Sequence, residues 1–223
     1  MKVAVIRTSL CLGAILAMSA AANAQDTVLV KHTYYESTWI ESAHIPCLVE
    51  YMLTADMLSC DNKLPRQSGF TADPDMTGTN LKRDYDHSGY DCGHNMSAED
   101  NACNKTGEHE CFYYTNMFPQ SGHLNRGIWK KLEAQERKYA TKEGQIEVFI
   151  GSIGKLETIG PDKVFAPKYC WKAIYHFNSK LWEVYCFPND ETAGGEFADY
   201  RPTAKQLERI KYVINHYSKF QIK

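Results

Sequence analysis

The stretch that decides the reading is Leu124-Asn125-Arg126-Gly127-Ile128-Trp129-Lys130-Lys131-Leu132-Glu133. Leu124, Ile128, Leu132 and Gln135 fall on one helical face, so a helix is predicted from near Gly122 to Leu124 as far as about Tyr139. Arg126, Lys130, Glu133 and Arg137 lie on the other faces, which makes the polar side mostly basic. Two segments upstream set polar residues among apolar ones in an equally unusual way. They are Thr115-Asn116-Met117-Phe118-Pro119-Gln120 and Asp86-His87-Ser88-Gly89-Tyr90-Asp91-Cys92-Gly93-His94.

Working outward, Thr27 to Tyr35 and Leu48 to Thr54 read as strands rich in Val, Leu, Tyr and Thr. Cys111 to Asn116 reads as a short aromatic strand, and Ile146 to Ile150 as another that ends at Gly151. Residues 61 to 90 are dominated by Asp, Asn, Gly, Pro, Ser and Thr, the composition of a long surface loop. Tyr169 to His176 and Leu181 to Phe187 flank Phe177-Asn178-Ser179-Lys180 as a hairpin. A last helix starts at Thr203, where Gln206 completes a capping box and Leu207, Ile210, Ile214 and Tyr217 form the apolar stripe. Strands and helices are interspersed without steady βαβ alternation, which predicts an α+β fold.

The 223 residues include 25 Lys+Arg, 27 Asp+Glu, 43% hydrophobic and 23% charged residues, a composition that disfavours disordered, collagen-like and coiled-coil chains. Past the N-terminus no stretch reaches the roughly 18 apolar residues of a membrane span, so no membrane partner is expected. Lys2 and Arg7, the uncharged run Leu10 to Ala22, and Ala22-Asn23-Ala24 predict a signal peptide over residues 1–24 cleaved after Ala24. The expected location is secreted or periplasmic. Cleavage leaves residues 25–223, which are 199 residues with 23 basic and 27 acidic side chains and a net charge of −4. That length suits a single domain. A mildly acidic total argues only weakly against a polyanion partner, because a local cationic groove can coexist with it.

Asp91-Cys92-Gly93-His94 resembles the Asp-Arg-Gly-His signature of the DNA/RNA non-specific endonucleases, members of the ββα-metal (His-Me finger) nuclease group. Asn116 to Gln120 resembles that family's Asn-x-x-Pro-Gln stretch, and Leu124 to Glu133 its Leu-Asn-x-Gly-x-Trp-x-x-Leu-Glu helix. The likeness continues through Gln135-Glu136-Arg137 and, more faintly, through Val164-Phe165-Ala166-Pro167 and Trp171-Lys172. It implies a ββα-metal nuclease fold with a central, mainly antiparallel sheet flanked by helices. It also implies an endonuclease that hydrolyses phosphodiester bonds of DNA and RNA with little sequence preference and leaves 5′-phosphates.

The resemblance assigns roles as well. His94 is the expected general base, an imidazole that titrates near physiological pH. Asn125 is the expected direct ligand of one Mg²⁺, with Mn²⁺ as a substitute, since its amide oxygen is a hard donor. On a straight helix Glu133 lies ~12 Å further along at roughly 80° of offset, which casts it as holding metal-bound water. Arg137 is expected to bind a phosphate and Asn116 to orient the site. Arg66, ahead of Phe70-Thr71-Ala72-Asp73-Pro74, and Arg126 are expected to supply phosphate charge. Each has a plainer alternative: a hydrogen-bonded structural histidine at His94, an i,i+4 pair of Glu133 with Arg137, backbone satisfaction by Asn116, and a solvated charge at Arg126.

Cys92 stands where the family has Arg, so a cation is lost from the cleft. Cys11 leaves with the leader, and seven cysteines enter an oxidising compartment where pairing is expected. Hairpin register suggests Cys170–Cys186, and proximity suggests Cys103–Cys111 and Cys47–Cys60. Cys92 is then the free thiol, on the same strand face as His94. Cys92, His94, Cys103, His109 and Cys111 also offer a zinc ligand set, which keeps a zinc-stabilised binding module as an alternative. An inactive nuclease-like module binding nucleic acid or protein is the other, and an inhibitor protein is a compatible partner.

Overall fold

The computed structural model describes residues 26–222, and the expected signal peptide lies outside the described residues. The chain runs β1 (Thr27–Lys31), β2 (Glu36–Ile40), β3 (Ile45–Thr54), α1 (Lys82–Tyr85), β4 (Tyr90–His94), α2 (Lys105–Glu110) and β5 (Met117–Ser121). It continues through α3 (Gly122–Leu124), a π-helical turn (Asn125–Trp129), α4 (Lys130–Glu143), β6 (Gln145–Ile159), β7 (Val164–His176), β8 (Leu181–Pro188) and α5 (Ala204–Tyr217). Six strands form one antiparallel sheet in the order β1-β2-β3-β6-β7-β8, and β4 pairs with β5 in a separate two-stranded sheet.

Both faces of the large sheet are covered, which explains why its strands read as nearly continuous apolar runs. Val49, Tyr51, Val148, Ile150, Cys170, Ile174 and Phe187 pack against Phe118 of β5 and against Leu124, Ile128, Trp129 and Leu132 of the helical run. The alternate residues Leu48, Phe149, Trp171, Ala173, Val184 and Cys186 pack against Ile210, Val213 and Ile214 of α5. The helix α5 carries the expected capping box, with Gln206 donating to the Thr203 hydroxyl and the Thr203 amide donating to Gln206 at 2.9 Å. At its C-terminus α4 stops on Gly144, whose φ of 89° suits glycine.

Three expectations need correction. Cys111 to Asn116 is not a strand: Tyr114–Asn116 form a 3₁₀ turn and the strand begins at Met117. The Asn116 side chain there takes up backbone groups of Met96 and Cys111 in place of a ladder. The disulfides also differ, because Cys60 bonds Cys103, 43 residues away, while Cys47, Cys92, Cys111, Cys170 and Cys186 are unpaired among the described residues. In the β7–β8 hairpin Cys170 pairs with Phe187 and Cys186 with Trp171. That is one residue off the expected register, and such a slip puts the two thiols on opposite faces. Cys103–Cys111 and Cys47–Cys60 fail because the long loop folds back, with Leu64 donating to the Ala102 carbonyl at 2.7 Å and carrying Cys60 to Cys103. Cys111 instead donates to the Glu108 carbonyl, and Cys47 lies in β3 on the α5 side. Finally, the helix is not straight: Gly127 has non-helical angles (φ −99°, ψ −114°) and bends it.

Candidate active site

The strands β4 and β5 and the helical run follow one another as a ββα unit, with His94 opposite Met117 and Asp91 opposite Gln120. A side chain at position 93 would collide with Gln120, so glycine is needed there for the strands to pair closely. Ser121 ends β5 and caps the helix by accepting from the Leu124 amide at 3.1 Å, which delivers Asn125 one residue later. The bend at Gly127 means the straight-helix offset between Asn125 and Glu133 does not hold.

His94 is buried between the rings of Phe70 (5.3 Å between centroids) and Phe112 (4.9 Å, edge-on). Burial, with the Arg66 guanidinium adding to it, lowers its pKa to about 3, so the expected titration near neutrality is corrected and the ring is neutral. Arg66 lies over the Phe112 ring at 5.0 Å. The buried His94 Nε2 has no hydrogen-bond partner among the described residues. The backbone around His94 is held firmly: the Trp129 indole donates to the His94 carbonyl at 3.2 Å, and Asn116 accepts from the Met96 amide at 2.9 Å. Asn116 also donates to the carbonyls of Met96 and Cys111, so both amide atoms are engaged with backbone.

Asn125 donates through Nδ2 to Asp91 at 2.9 Å, and Arg126 grips the same carboxylate through Nε at 2.8 Å and through NH2. Burial raises the Asp91 pKa, but the hydrogen bonds from Arg126 and Asn125 outweigh it and hold the carboxylate below its ordinary range. With Nδ2 committed, Oδ1 is the Asn125 atom left to meet a cation. Asn125 Oδ1 beside an ionised carboxylate is a hard-oxygen donor set, which fits Mg²⁺ or Mn²⁺ better than a thiolate-loving metal.

Glu133 turns inward, where burial raises its pKa against the opposing charges of Lys172 and Arg137. Arg137 pairs with the fully buried Asp100 at 2.8 Å, so the alternative of a surface Glu133–Arg137 pair gives way to a deeper one. Beneath them Lys172, buried in β7, donates to Glu136 at 3.0 Å and sits 4.6 Å over the Trp129 ring.

The sequence pattern of the DNA/RNA non-specific endonucleases matches residues 13–220. The chain belongs to that family. Among its relatives, Nuclease C1 of Cunninghamella echinulata var. echinulata is 35% identical over 121 residues, 52% of this chain and 48% of that protein. The Nuclease of Serratia marcescens is 30% identical over 108 residues, covering 44% and 40% of the two chains. The chain thus spans less than half the length of these curated relatives. The solved structure of an EndoG/EndoGI complex, a study of EndoG inhibition, superposes with a TM-score of 0.74 at 26% identity over 81% of this chain and 82% of that one.

Within the family fold, His94, Asn125, Arg126 and Asn116 come together in the ββα unit, Arg66 joins them from the long loop, and Glu133 and Arg137 lie one layer deeper. Cys92 does not share the histidine's surroundings. Its thiol packs with the main core near Tyr85 and Tyr114, and burial followed by the charges of Asp91 and Asp86 pushes its pKa to about 12. The zinc ligand set is not assembled: Cys103 is in a disulfide, and among the described residues the one group of three His, Cys, Asp or Glu side chains close enough to share an ion is His32, Asp73 and Asp75. There Asp73 accepts from Thr115 at 2.6 Å and meets His32 at 3.0 Å, contacts that tie down the long loop. Asp91, Asp100, Glu136 and Lys172 were not assigned roles from sequence. A lysine inside the apolar run Cys170-Trp171-Lys172-Ala173-Ile174 is the signal that could have found one of them, whereas Asp100 has none.

Proposed function

We propose that this chain is an exported endonuclease that uses Mg²⁺ to hydrolyse DNA and RNA with little base preference, leaving 5′-phosphates, and that residues 25–223 act as its single domain. The observation that carries the reading is the neutral His94 ring, whose buried Nε2 lacks a partner among the described residues, in the same ββα unit as Asn125 and beside Arg66. A neutral imidazole with an unfilled nitrogen is suited to take a proton from water. A phosphate drawn to Arg66 brings negative charge next to the ring and offsets the guanidinium, which raises the basicity of His94 toward the working range. Asn125 Oδ1 would hold the metal and Glu133 would hold its water, with Arg137 and Arg126 as phosphate contacts. The metal, when bound, supplies charge relief at the phosphorane. Asn116 and Trp129 act by keeping the His94 backbone in place. Contacts to phosphate position a strand without reading its bases, which accounts for low sequence preference.

The N-terminal signal pattern and the Cys60–Cys103 disulfide support an oxidising, secreted or periplasmic destination. The likeness to EndoG, solved with EndoGI, supports an inhibitor protein as a further partner.

The test is cleavage of duplex DNA, single-stranded DNA and RNA in parallel, with Mg²⁺ and with EDTA, followed by end-group analysis. Cutting of both polymers in Mg²⁺ alone, with 5′-phosphate ends, is expected. Activity that survives exhaustive chelation overturns the metal assignment, and binding without cleavage by metal-loaded protein means an inactive module.

A further inference from the structure

A groove of about 360 Å³ runs between α4 and the loop after β3. Its walls carry Lys63, Arg137, Lys138 and Lys142, with Cys103 at its edge and a single carboxylate, Glu99. Lys63 and Glu99 are paired at 3.1 Å although both side chains are more than half exposed (58% and 52%). The hydrogen bond from Lys63, opposed by burial and aided by the charges of Lys63, Arg137 and Arg66, holds Glu99 below the usual carboxylate range. Glu99 therefore sits where the fields of three cations overlap. Arg137, which lines the groove, also belongs to the candidate active site, so the two share a wall. The disulfide Cys60–Cys103 fastens the Lys63 loop to the same edge.

We propose that this groove is a second subsite for the substrate backbone, in which Lys63, Lys138 and Lys142 receive phosphates flanking the cut and the Glu99 carboxylate occupies a phosphate position until the strand displaces it. The proposal rests on the nuclease reading and names where the uncut part of the strand lies. The recognised chemistry is the phosphodiester backbone, common to DNA and RNA. Strand entry breaks the Lys63–Glu99 pair, so Glu99 opposes binding while the three lysines favour it.

The experiment measures fluorescence anisotropy of labelled duplex DNA and of RNA in EDTA, across a salt series, for the mature protein, Lys63→Gln/Lys138→Gln/Lys142→Gln, and Glu99→Gln. Thermal melting confirms that each variant is folded. The triple variant should bind both polymers about tenfold more weakly, with a salt slope shallower by roughly two to three, since each phosphate contact on duplex DNA contributes about 0.9. Glu99→Gln should bind several-fold more tightly. In Mg²⁺ the triple variant should lose more kcat/KM on a long duplex than on a tetranucleotide too short to reach the groove. An unchanged salt slope in the folded triple variant, weaker binding by Glu99→Gln, or equal losses on long and short substrates would each overturn the subsite. If the unaltered protein neither binds nor cuts nucleic acid, the nuclease reading itself has failed, a result distinct from a competent enzyme indifferent to these four side chains.

Discussion

On β7, Trp171 and Ala173 point into an aliphatic and aromatic layer beneath α5, whereas Lys172 between them is equally buried on the opposite side, with Glu136 and the Trp129 ring as partners. Both sides of the sheet hold apolar residues, but the contrast is sharp around β7. Phe149, Val184, Ile210 and Val213 fill one side, while the other holds Asp100, Glu136, Lys172 and the inward-facing Glu133 and Arg137 behind His94. A desolvated ion pair is seldom the most stable filling for a core, since well-packed apolar groups of similar volume often do as well or better. Around Trp171 and Ala173 the α5 side therefore shows what plain packing looks like, although further along the same face Glu147 is buried too. The departure from it on the other side marks the face where charge is required for something other than stability.

The strongest way to break that contrast is at His94. His94→Ala should lower turnover by roughly 10²- to 10⁴-fold, the range for loss of a general base, while leaving DNA binding in EDTA nearly unchanged. Asn125→Ala should instead raise the Mg²⁺ concentration needed, and excess Mg²⁺ should recover part of its activity and none of that of His94→Ala. Equal rescue of the two variants would show the assignments to be wrong.

A second comparison sets the two faces against each other directly. Trp171→Ala should destabilise the fold by about 3–5 kcal/mol through the cavity it leaves, with near-normal turnover in the molecules that remain folded. Lys172→Met should cost a similar amount, about 3–5 kcal/mol, because Glu136 is left buried and unpaired. Combining Lys172→Met with Glu136→Leu should return most of that stability without returning activity. Denaturant melts and kcat on the same preparations decide it, and a fully active double variant would mean that the buried pair is packing after all.

Dependence on pH gives a subtler test. The folded-state pKa of His94, about 3, lies below the ordinary histidine value of about 6.5. The unfolded chain therefore binds the extra proton first: the His94 contribution to stability is full above about pH 6.5 and is lost progressively as pH falls toward 3. His94→Phe should flatten that part of the stability curve. For catalysis the base form is the depressed one, so the acid limb of kcat/KM should fall below pH 6.5, and a limb at or above that value would contradict a buried, neutral ring.

The smallest effect is expected at Cys92. Cys92→Arg should not raise turnover, because position 92 packs with the main core near Tyr85 and Tyr114 and not beside His94. The thiol itself should react slowly with iodoacetamide, because its pKa of about 12 keeps it protonated. Rapid alkylation, followed by peptide mapping, would contradict that burial.

What was legible in the sequence was local. The Thr203–Gln206 cap, the hairpin and the helix carrying Asn125 are all written within a few residues, and so are His94 and its glycine. What could not be read depended on segments far apart in the chain. Phe70 and Phe112 close over His94 from separate loops and remove its ordinary pKa, and Arg137 finds Asp100 rather than the nearer Glu133. The bend at Gly127 was invisible to periodicity, since Leu124, Ile128 and Leu132 are buried either way. The hairpin was seen but not its register, and one residue decided whether Cys170 and Cys186 could meet.

The bond between Cys60 and Cys103 closes a 43-residue loop that contains Lys63, Arg66 and Phe70. By the chain-entropy account, a loop of that size constrains the unfolded chain by about 4 kcal/mol. One polypeptide therefore has two stabilities, set by the redox state of its surroundings. In a reducing cytoplasm it is the more easily unfolded and proteolysed form, and the loop that leads to Arg66 is not covalently tethered to the turn at Cys103. Under the proposed export the tether closes once the chain reaches an oxidising compartment. With the proposed nuclease activity, oxidation would then act as a timing device, arming the molecule only where the nucleic acids it meets are not those of the cell that makes it. The signature is a melting temperature lower by the order of 10 °C in reductant than without it, and a reductant-insensitive melt would disconnect the bond from any such role.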